Sequence, residues 1–507
     1  MSDDDDEDDD DDVRWAELVE SVAYHPRQLA VVNRILDGET LAILGGPGTG
    51  KSHIIKVVTS LLLIKAARDG KLHDRKPRSI QVVAPTGVAA VNVDGMTINR
   101  FVGMTPKYNT PPPRTPWRER NAYGGLVGDG GYRDWTVKLG KTPLLKFELR
   151  RLQTLIVDEI SMVPADFLDL IDKMFREARG TPALAFGGVQ MVAVGDFRQL
   201  PPIPTFSPDD ERFAPGTPQY AFYAEMWDVV FGDSHTVLLT DNVRQSGDPR
   251  FAGLLKRIGS GDALSDDDRL MLMDRTCIGE PGPDVLRLYG TREKVDGYNV
   301  RCMTALTSAE HRLSGVMRVC DGVGGVTEVE PGGMLDGGAV VEDIGAIEAK
   351  FDIERMIFLK EGCRVMLTTN VDMYRKQCNG SVGYFRGMDG DVLLFEMDGD
   401  GGAVVRLERK AYKWSCAPGQ KGWREYLQYP VCMAYALTVH KAQGVTVDRL
   451  YLGSDFFMAS QFFVAASRVR TLDGLILESF NPDWVKVNAH VTKYYRTKHG
   501  DLGATDK

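Results

Sequence analysis

The sequence lacks the features of a membrane protein and of a disulfide-rich protein. No apolar run approaches the roughly 18 residues needed to span a bilayer, and the longest candidate, 61–67, is interrupted by Lys65. The seven cysteines contain no CxxC pair and the eight histidines form no ligand cluster, so a zinc site is not expected. Because no secretory signal is found either, free thiols in a reducing, intracellular compartment are predicted.

An excess of positive charge, the usual sign of nucleic-acid binding, is also missing. The 507 residues carry 61 basic and 71 acidic side chains, a net charge of −10. Residues 3–12 are ten consecutive acids, and without them 71 − 10 = 61 acids face 61 bases. Such a run repels itself, so residues 1–21 are predicted to be a disordered acidic tail, solubilising or binding a basic partner. The remaining body is neutral, and any nucleic-acid site must be a local groove.

Short apolar runs alternate with helical patterns along much of the chain. Strands that alternate with helices predict an α/β fold with parallel sheets, whose ligands gather at the carboxyl ends of the strands. We therefore predict one α/β domain at 22–205 and a second at 206–310 plus 425–485. The apolar runs are 41–44, 80–83, 155–157, 191–194 and 237–239, with the alternation resuming near 431–435, 450–452 and 475–477.

Two segments break this alternation. Residues 105–145 contain three consecutive prolines, several glycines and arginines, which indicates an irregular insertion. Residues 311–424 are rich in Gly and Asp, and their short β-like runs predict an insertion with a small β-barrel or hairpin at about 385–420. Residues 486–507 are expected to form a C-terminal tail.

A phosphate-binding loop is the most specific motif. Its pattern, G-x-x-x-x-G-K-[ST] between a strand and a helix, places backbone N–H groups and the positive end of a helix around phosphates. Lys51 is expected to reach the β and γ phosphates of ATP, and the Ser52 hydroxyl to hold Mg²⁺. The loop consists of Gly45, Gly46, Pro47, Gly48, Thr49, Gly50, Lys51 and Ser52.

Two further strands deliver candidate catalytic groups. Asp158 and Glu159 end an apolar strand, so Asp158 is predicted to bind Mg²⁺ through water and Glu159 to deprotonate the attacking water. Gln199, in the segment 195–202, is predicted to sense the γ phosphate, as glutamine does in other NTPases; a capping glutamine in a proline-ended turn is the simpler alternative. Arg244 and Arg468 are candidates for neutralising charge in phosphoryl transfer.

Together these segments resemble the Pif-type DNA helicases (petite integration frequency family), which are close to RecD in superfamily one. The similarity runs from about residue 25 to 480 in the expected order, and its Asp-Glu-Ile-Ser-Met and Gly-Asp-Phe-x-Gln-Leu-Pro-Pro runs are quite specific. The matching segments are 24–28, 84–90, 95–101, 158–162, 186–190, 195–202, 242–245, 379–383, 439–444 and 464–468.

The resemblance implies two RecA-like domains with ATP in their cleft, DNA running across both and movement from 5′ to 3′. It also implies a small Src-homology-three-like insertion, which suits the β-like stretch. Carried over, Gln28 reads adenine, while Gln199, Arg244 and Arg468 meet the γ phosphate. Gln443 and Gly444 connect the nucleotide to the DNA strand.

The same resemblance gives the DNA-binding candidates. Thr86 and Gly87 begin a helical pattern after a strand, as do residues 438–441, so both segments are possible phosphate clamps. Phe101 could stack on a base or belong to the core. The family usually has histidine where this chain has Asn99. The full set is Pro85, Thr86, Gly87, Thr97, Asn99, Phe101, His440 and Lys441.

The sequence thus predicts an ATP-dependent DNA helicase acting on single-stranded and tailed duplex DNA, with ATP and Mg²⁺ and a monomeric active form. Its setting would be replication, repair, recombination or telomere maintenance, in the nucleus, a mitochondrion or a viral replication site. The alternative is a single-stranded DNA-binding protein that uses ATP as a switch without separating strands. A small-molecule kinase is disfavoured because it has no need of Arg244, Gln443 and Arg468. The acidic tail could also act as a self-inhibitory DNA mimic.

Overall fold

The computed structural model describes most of the chain outside several loops and both ends. The predicted insertion at 105–145 lies almost wholly outside the described residues, as does Gly444. The described residues are 4–23, 25–68, 79–102, 143–202, 219–276, 279–320, 325–329, 353–369, 371–372, 377, 381–398, 402–415, 423–443 and 445–499.

Helices and strands are numbered here in chain order. The helices α1 to α13 are Asp4–Ala23, Pro26–Leu36, Lys51–Arg68, Gly87–Asn92, Ile98–Phe101, Pro143–Arg151, Ala165–Arg179, Trp227–Val230, Pro249–Ser260, Asp266–Asp274, Arg292–Ala305, Gln461–Ala466 and Ala489–His499. The strands β1 to β21 are Leu41–Gly45, Ile80–Ala84, Met96–Thr97, Thr154–Val157, Gln190–Gly195, Thr236–Leu239, Leu286–Tyr289, Glu310–Ser314, Val316–Cys320, Val326–Val329, Met356–Lys360, Arg364–Leu367, Val382–Asp389, Val392–Met397, Val404–Leu407, Lys410–Ser415, Trp423–Gln428, Val431–Met433, Ala436–Thr438, Leu450–Leu452 and Leu475–Leu477.

The chain forms two compact units. The first unit comprises Met1–Ile278, Gln443–Asp448 and Phe456–Lys507, and the second comprises Gly279–Ala442 and Arg449–Asp455. This division differs from the predicted one at 205, because residues 219–276 and 456–499 belong with the phosphate-binding loop.

A six-stranded parallel sheet in the order β3-β2-β4-β5-β1-β6 is the centre of the first unit. All five apolar runs predicted between 41 and 239 are strands of this sheet. Both faces are covered: alternate residues such as Leu44 and Val157 enter one apolar cluster, while Ile43 and Ile156 enter the other. Strands buried on both faces need continuous apolar runs, which is why they were recognisable in the sequence.

Both segments that were predicted to be tails contain helices in the structure. Where disorder was predicted for 1–21, the structure has helix α1, whose Val22 is buried while Trp15 and Leu18 pack against the apolar cluster beneath α2 and α3. These contacts stabilise the helix, and acidic residues at its N-terminus suit the helix dipole. Where a tail was predicted at 486–507, helix α13 buries Tyr494 and Tyr495 in the opposite cluster.

The second unit combines a parallel and an antiparallel part. Strands β19, β7 and β20 are parallel, as an α/β domain requires. The β-rich insertion is larger than predicted, since an antiparallel sheet β15-β14-β13-β12-β18 is accompanied by a second one, β10-β9-β17-β16. The run at 431–435 was assigned to the parallel sheet, but Val431–Met433 pairs antiparallel with β12. Ala436–Thr438 is the parallel strand.

Two simpler predictions concern cysteine and membranes. Cys302, Cys363 and Cys432 are free thiols, as predicted. Among the described helices, none combines the length and apolar character that crossing a membrane requires.

Candidate functional site

The phosphate-binding loop joins a fully buried strand, β1, to helix α3. Gly48 and Gly50 have φ angles of +82° and +83°, a left-handed conformation that residues with a Cβ rarely adopt. A Cβ on Gly48 would also lie 2.5 Å from Oδ1 of Asn242 and 2.6 Å from Cβ of Arg244. Glycine is therefore needed at this position both for the turn and for the close approach of the Arg244 segment.

Gln28 holds the loop from the side of helix α2. It is buried, and its Nε2 donates a hydrogen bond of 3.0 Å to the carbonyl oxygen of Thr49. A Cβ on Gly50 would lie 2.5 Å from this Nε2. Gln28, which was predicted to recognise adenine, thus contacts the phosphate-binding loop directly and lies at the edge of the nucleotide pocket.

Lys51 lies at the centre of a group of charges. Its Nζ donates to the carbonyl oxygens of Gly45 at 2.6 Å and Gly46 at 2.8 Å. Burial lowers the pKa of Lys51, whereas attraction to Asp196, Glu159 and Asp158 opposes that effect. The lysine therefore has three carboxylates around it and donates to backbone oxygens rather than to any of them.

The carboxylate pair lies at the end of strand β4, where it was predicted. Burial and the neighbouring Glu159 raise the pKa of Asp158 to about 7, although the Glu159 N–H donates to Asp158 Oδ1 at 2.9 Å. Glu159 has a left-handed φ of +49°, a conformation that costs a non-glycine residue about 1–3 kcal/mol. Its Oε2 is buried and accepts no hydrogen bond from the described residues. Such strain at a buried charge is typical of a functional carboxylate.

Strand β5 delivers two more buried polar side chains. Gln199, which was predicted, is 3% exposed, and its N–H donates to the carbonyl oxygen of Asp196 at 2.9 Å. Asp196, which was missed as a site residue, is 1% exposed, and its Oδ2 has no hydrogen-bond partner in the described structure. Its position one residue after an apolar strand, like that of Asp158, was a signal that could have identified it.

The two predicted arginines meet although more than two hundred residues separate them. Nη1 of Arg244 donates to the carbonyl oxygen of Ser467 at 3.1 Å. Burial and the proximity of Arg244 lower the pKa of Arg468 to about 9, while Glu159 and Asp196 oppose this shift. Within the described part of the chain neither guanidinium forms an ion pair with a carboxylate. Arg468 is buried and Arg244 is half-buried, and cations taken out of water without a direct ion pair are costly, so an anionic ligand would stabilise both.

Two further amide side chains of the first unit, Gln443 and Gln245, are buried. Gln443 has neither its Oε1 nor its Nε2 hydrogen-bonded within the described residues, and Gln245 has a free Oε1. Gln245, a further residue not predicted, lies over the loop, because a Cβ on Gly48 would be 3.0 Å from its Oε1.

Most predicted DNA-binding residues lie at one edge of the first sheet. Residues 85–87 follow β2, and the pairing of Ala84 with Thr97 brings β3 alongside. Thr86 Oγ1 accepts a hydrogen bond from the Ala89 N–H at 3.2 Å, so its hydroxyl caps helix α4. Two parallel strands thus bring together segments that are ten residues apart in the sequence.

The other residues of this edge differ in exposure. Asn99 has a buried Oδ1 without a partner in the described structure, so it retains a free polar atom. The Phe101 ring lies 6.4 Å from that of Phe175 and packs against the core, which favours the apolar reading of this residue over base stacking.

The remaining DNA candidates lie in the second unit. The helix predicted at 438–441 is wrong: β19 ends at Thr438 and a turn follows, in which Thr438 Oγ1 accepts from the Lys441 N–H at 3.4 Å. Burial and Arg292 lower the pKa of His440, so this side chain is neutral at physiological pH.

The first unit thus brings together a phosphate loop, two strand-end carboxylates and two arginines that lack counter-ions, the arrangement of a P-loop NTPase. A family model described as an AAA domain matches residues 28–205. The ATP-dependent DNA helicase PIF1 of Xenopus laevis is 27% identical over 477 residues, which cover 92% of this chain and 63% of that protein. For Pif1 of Bdellovibrio bacteriovorus the identity is 26% over 483 residues, covering 95% of this chain and 94% of the relative.

Solved structures agree with these sequence comparisons. The crystal structure of Pif1 helicase from Candida albicans is 25% identical with a TM-score of 0.71, covering 93% of this chain and 98% of that one. The predicted fold class, RecA-like domains with an added β region, is therefore confirmed. Over nearly its whole length the chain is thus similar to Pif-type helicases of superfamily one. It spans about 63% of the length of the vertebrate relatives.

Proposed function

We propose that this chain is an ATP-dependent DNA helicase that moves on single-stranded DNA and separates duplex strands. One observation carries the proposal: Arg468 is buried beside Arg244 with no carboxylate partner among the described residues, in the same unit as the phosphate loop. Guanidinium groups that form no direct ion pair remain available to the triphosphate of ATP and to the charge that develops in phosphoryl transfer.

Each group has a role that follows from its position. Lys51 would exchange its two carbonyl partners in the loop for the β and γ phosphates. Glu159 would take the proton of the attacking water through its free Oε2, with Gln199 orienting that water. Arg244 and Arg468 would stabilise the charge on the transferred phosphoryl group.

The donor set also fits a magnesium ion. Ser52 lies exposed in the first turn of α3, and Asp158 directly follows strand β4 of the same sheet, so a hydroxyl and a carboxylate oxygen are available as hard ligands. Free, buried carboxylate oxygens on Glu159 and Asp196 add negative charge that a cation would compensate. Bound Mg²⁺ would neutralise phosphate charge during transfer.

DNA is the polymer that we infer as substrate. Structures of Bacteroides Pif1 bound to single-stranded DNA and of Pif1 helicases unwinding forked duplex DNA share the fold, with TM-scores of 0.67 and 0.66. In this chain the candidates are residues 85–87, Thr97 and Asn99 in the first unit and His440 and Lys441 in the second. Backbone N–H groups and neutral side chains dominate this set, so binding is expected to be independent of sequence and weakened by salt.

Several finer properties stay part of the proposal. They are movement from 5′ to 3′, a monomeric active form, work on intracellular DNA in the nucleus or a mitochondrion, and a role in replication, repair, recombination or telomere maintenance. The acidic residues 3–12 would compete with DNA or bind a basic partner.

ATP hydrolysis with and without single-stranded DNA tests the proposal. We expect the strand to stimulate hydrolysis strongly and Lys51→Ala to abolish it. Lys65→Ala is a matched control, because this lysine lies on the same helix but donates to the Leu36 carbonyl oxygen, away from the loop. A hydrolysis rate indifferent to added strand, or equal in Lys51→Ala and Lys65→Ala, would overturn the proposal.

A further inference from the structure

Tyr495, on helix α13, contacts the end of strand β5 at three consecutive residues. Its hydroxyl donates to Asp196 Oδ1 at 3.2 Å and accepts from the Phe197 N–H at 3.3 Å. The guanidinium of Arg198 lies 4.2 Å from the centre of its ring. Tyr495 is buried, and burial together with Asp196 holds its pKa well above the ordinary range, so the hydroxyl keeps its proton and remains the donor.

Asp196 connects this tyrosine to the nucleotide pocket. Its Oδ1 is occupied by Tyr495 and by the Arg198 N–H at 3.0 Å, whereas its buried Oδ2 accepts nothing from the described residues. Of the three carboxylates that attract Lys51, Asp196 acts most strongly, and it also attracts Arg468. Because Tyr495 bonds Oδ1, the other carboxylate oxygen, Oδ2, is the atom of Asp196 that can interact with groups in the nucleotide site.

The same segment carries Gln199. Its N–H donates to the Asp196 carbonyl oxygen, so displacement of Asp196 would displace the glutamine predicted to sense the γ phosphate. Phe197, between them, is held by edge contacts with Phe222 and Tyr494 at 4.9 and 5.4 Å, which fix the backbone but not the carboxylate. The Asp196 carboxylate is oriented by two donors, the Arg198 N–H from its own turn and the Tyr495 hydroxyl from helix α13.

We propose that Tyr495 is a positioning residue of the nucleotide site, which orients Asp196 and through it Gln199 for hydrolysis of the triphosphate. Helix α13 thereby belongs to the catalytic unit, although it lies beyond all motifs of the family resemblance. The inference rests on the proposed ATPase function. It predicts that losing one hydroxyl group, far along the chain from every motif, slows the chemical step.

Tyr495→Phe removes the hydroxyl and keeps the ring, and Tyr494→Phe is its matched control. Tyr494 lies on the same helix, and its hydroxyl accepts from Trp227 Nε1 at 3.1 Å instead of meeting the site. Each variant loses hydrogen bonds but retains its ring, so similar thermal unfolding midpoints are expected. For Tyr495→Phe the kcat of ATP hydrolysis should fall about tenfold, with KM for ATP within about twofold, since the groups affected act after binding. Tyr494→Phe should leave both constants unchanged.

A double variant tests whether the effect passes through Asp196. In an Asp196→Ala background, Tyr495→Phe should cause no further loss of kcat, because the hydroxyl then has no carboxylate to orient. Equal kcat in Tyr495→Phe and Tyr494→Phe, or losses that multiply in the double variant, would overturn the inference while leaving the ATPase proposal intact. A wild-type chain that hydrolyses no ATP would overturn both.

Discussion

The guanidinium of Arg244 donates a 3.1 Å hydrogen bond to the carbonyl oxygen of Ser467, the residue that precedes Arg468. This contact brings together the segments of two arginines that were predicted separately as site residues. Because burial and Arg244 both disfavour the charge of Arg468, this position raises the free energy of the nucleotide-free protein until an anion binds. We therefore propose that the pair senses phosphate as well as stabilising the transferred charge.

Removal of Arg468 should slow the hydrolysis of bound ATP more than it weakens the binding of ATP. We expect Arg468→Ala to lower the kcat of ATP hydrolysis by about 10³-fold, in the range of other arginines that act on phosphoryl transfer. Arg250→Ala is the control, since this exposed arginine pairs with Asp267 on the surface of the same unit. Steady-state kinetics of both variants would check this, and equal rates would assign Arg468 a structural role only.

The buried proton of Asp158 should appear in the pH dependence of stability. The pKa of Asp158 is about 7 in the folded state and about 4 when unfolded, so between these values only the unfolded chain gives up its proton. Ionisation therefore favours unfolding, and the stability from this group declines as pH rises through that window. Asp158→Asn cannot ionise, so its midpoint relative to wild type should increase between pH 5 and pH 8.

The measurement is thermal unfolding without nucleotide or metal. Asp241→Asn, a change at an exposed carboxylate, is the control and should shift the midpoint equally at both pH values. If Asp158→Asn behaves like this control, burial does not retain the proton on Asp158.

The phosphate loop should be sensitive to a single methyl group. Gly48 and Gly38 both have positive φ angles, but a Cβ on Gly38 would meet nothing within 4 Å, whereas on Gly48 it would displace Arg244. Gly38→Ala should thus show only backbone strain of about 1 kcal/mol, and Gly48→Ala a larger loss of stability together with loss of ATP hydrolysis. Unfolding and rate measurements on the two variants decide this; similar behaviour would mean that the Arg244 segment tolerates displacement.

The acidic helix should affect DNA binding without being needed for folding. Helix α1 is anchored by Trp15, Leu18 and Val22, so deleting residues 3–12 removes the exposed ion pair of Asp12 with Arg68 but keeps the packing. An exposed pair contributes about 0–1 kcal/mol. DNA should bind more tightly to the deletion variant at low salt, and the difference should vanish at high salt. An affinity unchanged at low salt would leave the segment a solubilising role.

The fold was predictable where local sequence determines structure. Continuous apolar runs such as 41–44 and 191–194 became central parallel strands, since both of their faces are buried. The domain boundary was not predictable in this way, because the run 237–239 does not indicate which sheet it joins. It pairs with β1 and extends the first unit beyond 205.

The motif residues of the site were predictable from the sequence, but the residues that position them were not. Lys51, Glu159 and Gln199 are marked by position after apolar strands, whereas Tyr495 acts through a contact across about 300 residues of sequence that spacing does not encode. Its helix was still detectable, because the apolar residues Val491, Tyr494 and Tyr495 follow helical periodicity. Reading that segment as a tail concealed both the helix and the contact.

Strand displacement on tailed duplexes tests the central claim most directly. The chain, with ATP and Mg²⁺, should open a duplex that carries a 5′ single-stranded tail, leave one with only a 3′ tail intact, and do neither as Lys51→Ala. Hydrolysis stimulated by the single strand without opening of either duplex would contradict the helicase account and establish an ATP-switched DNA-binding protein instead.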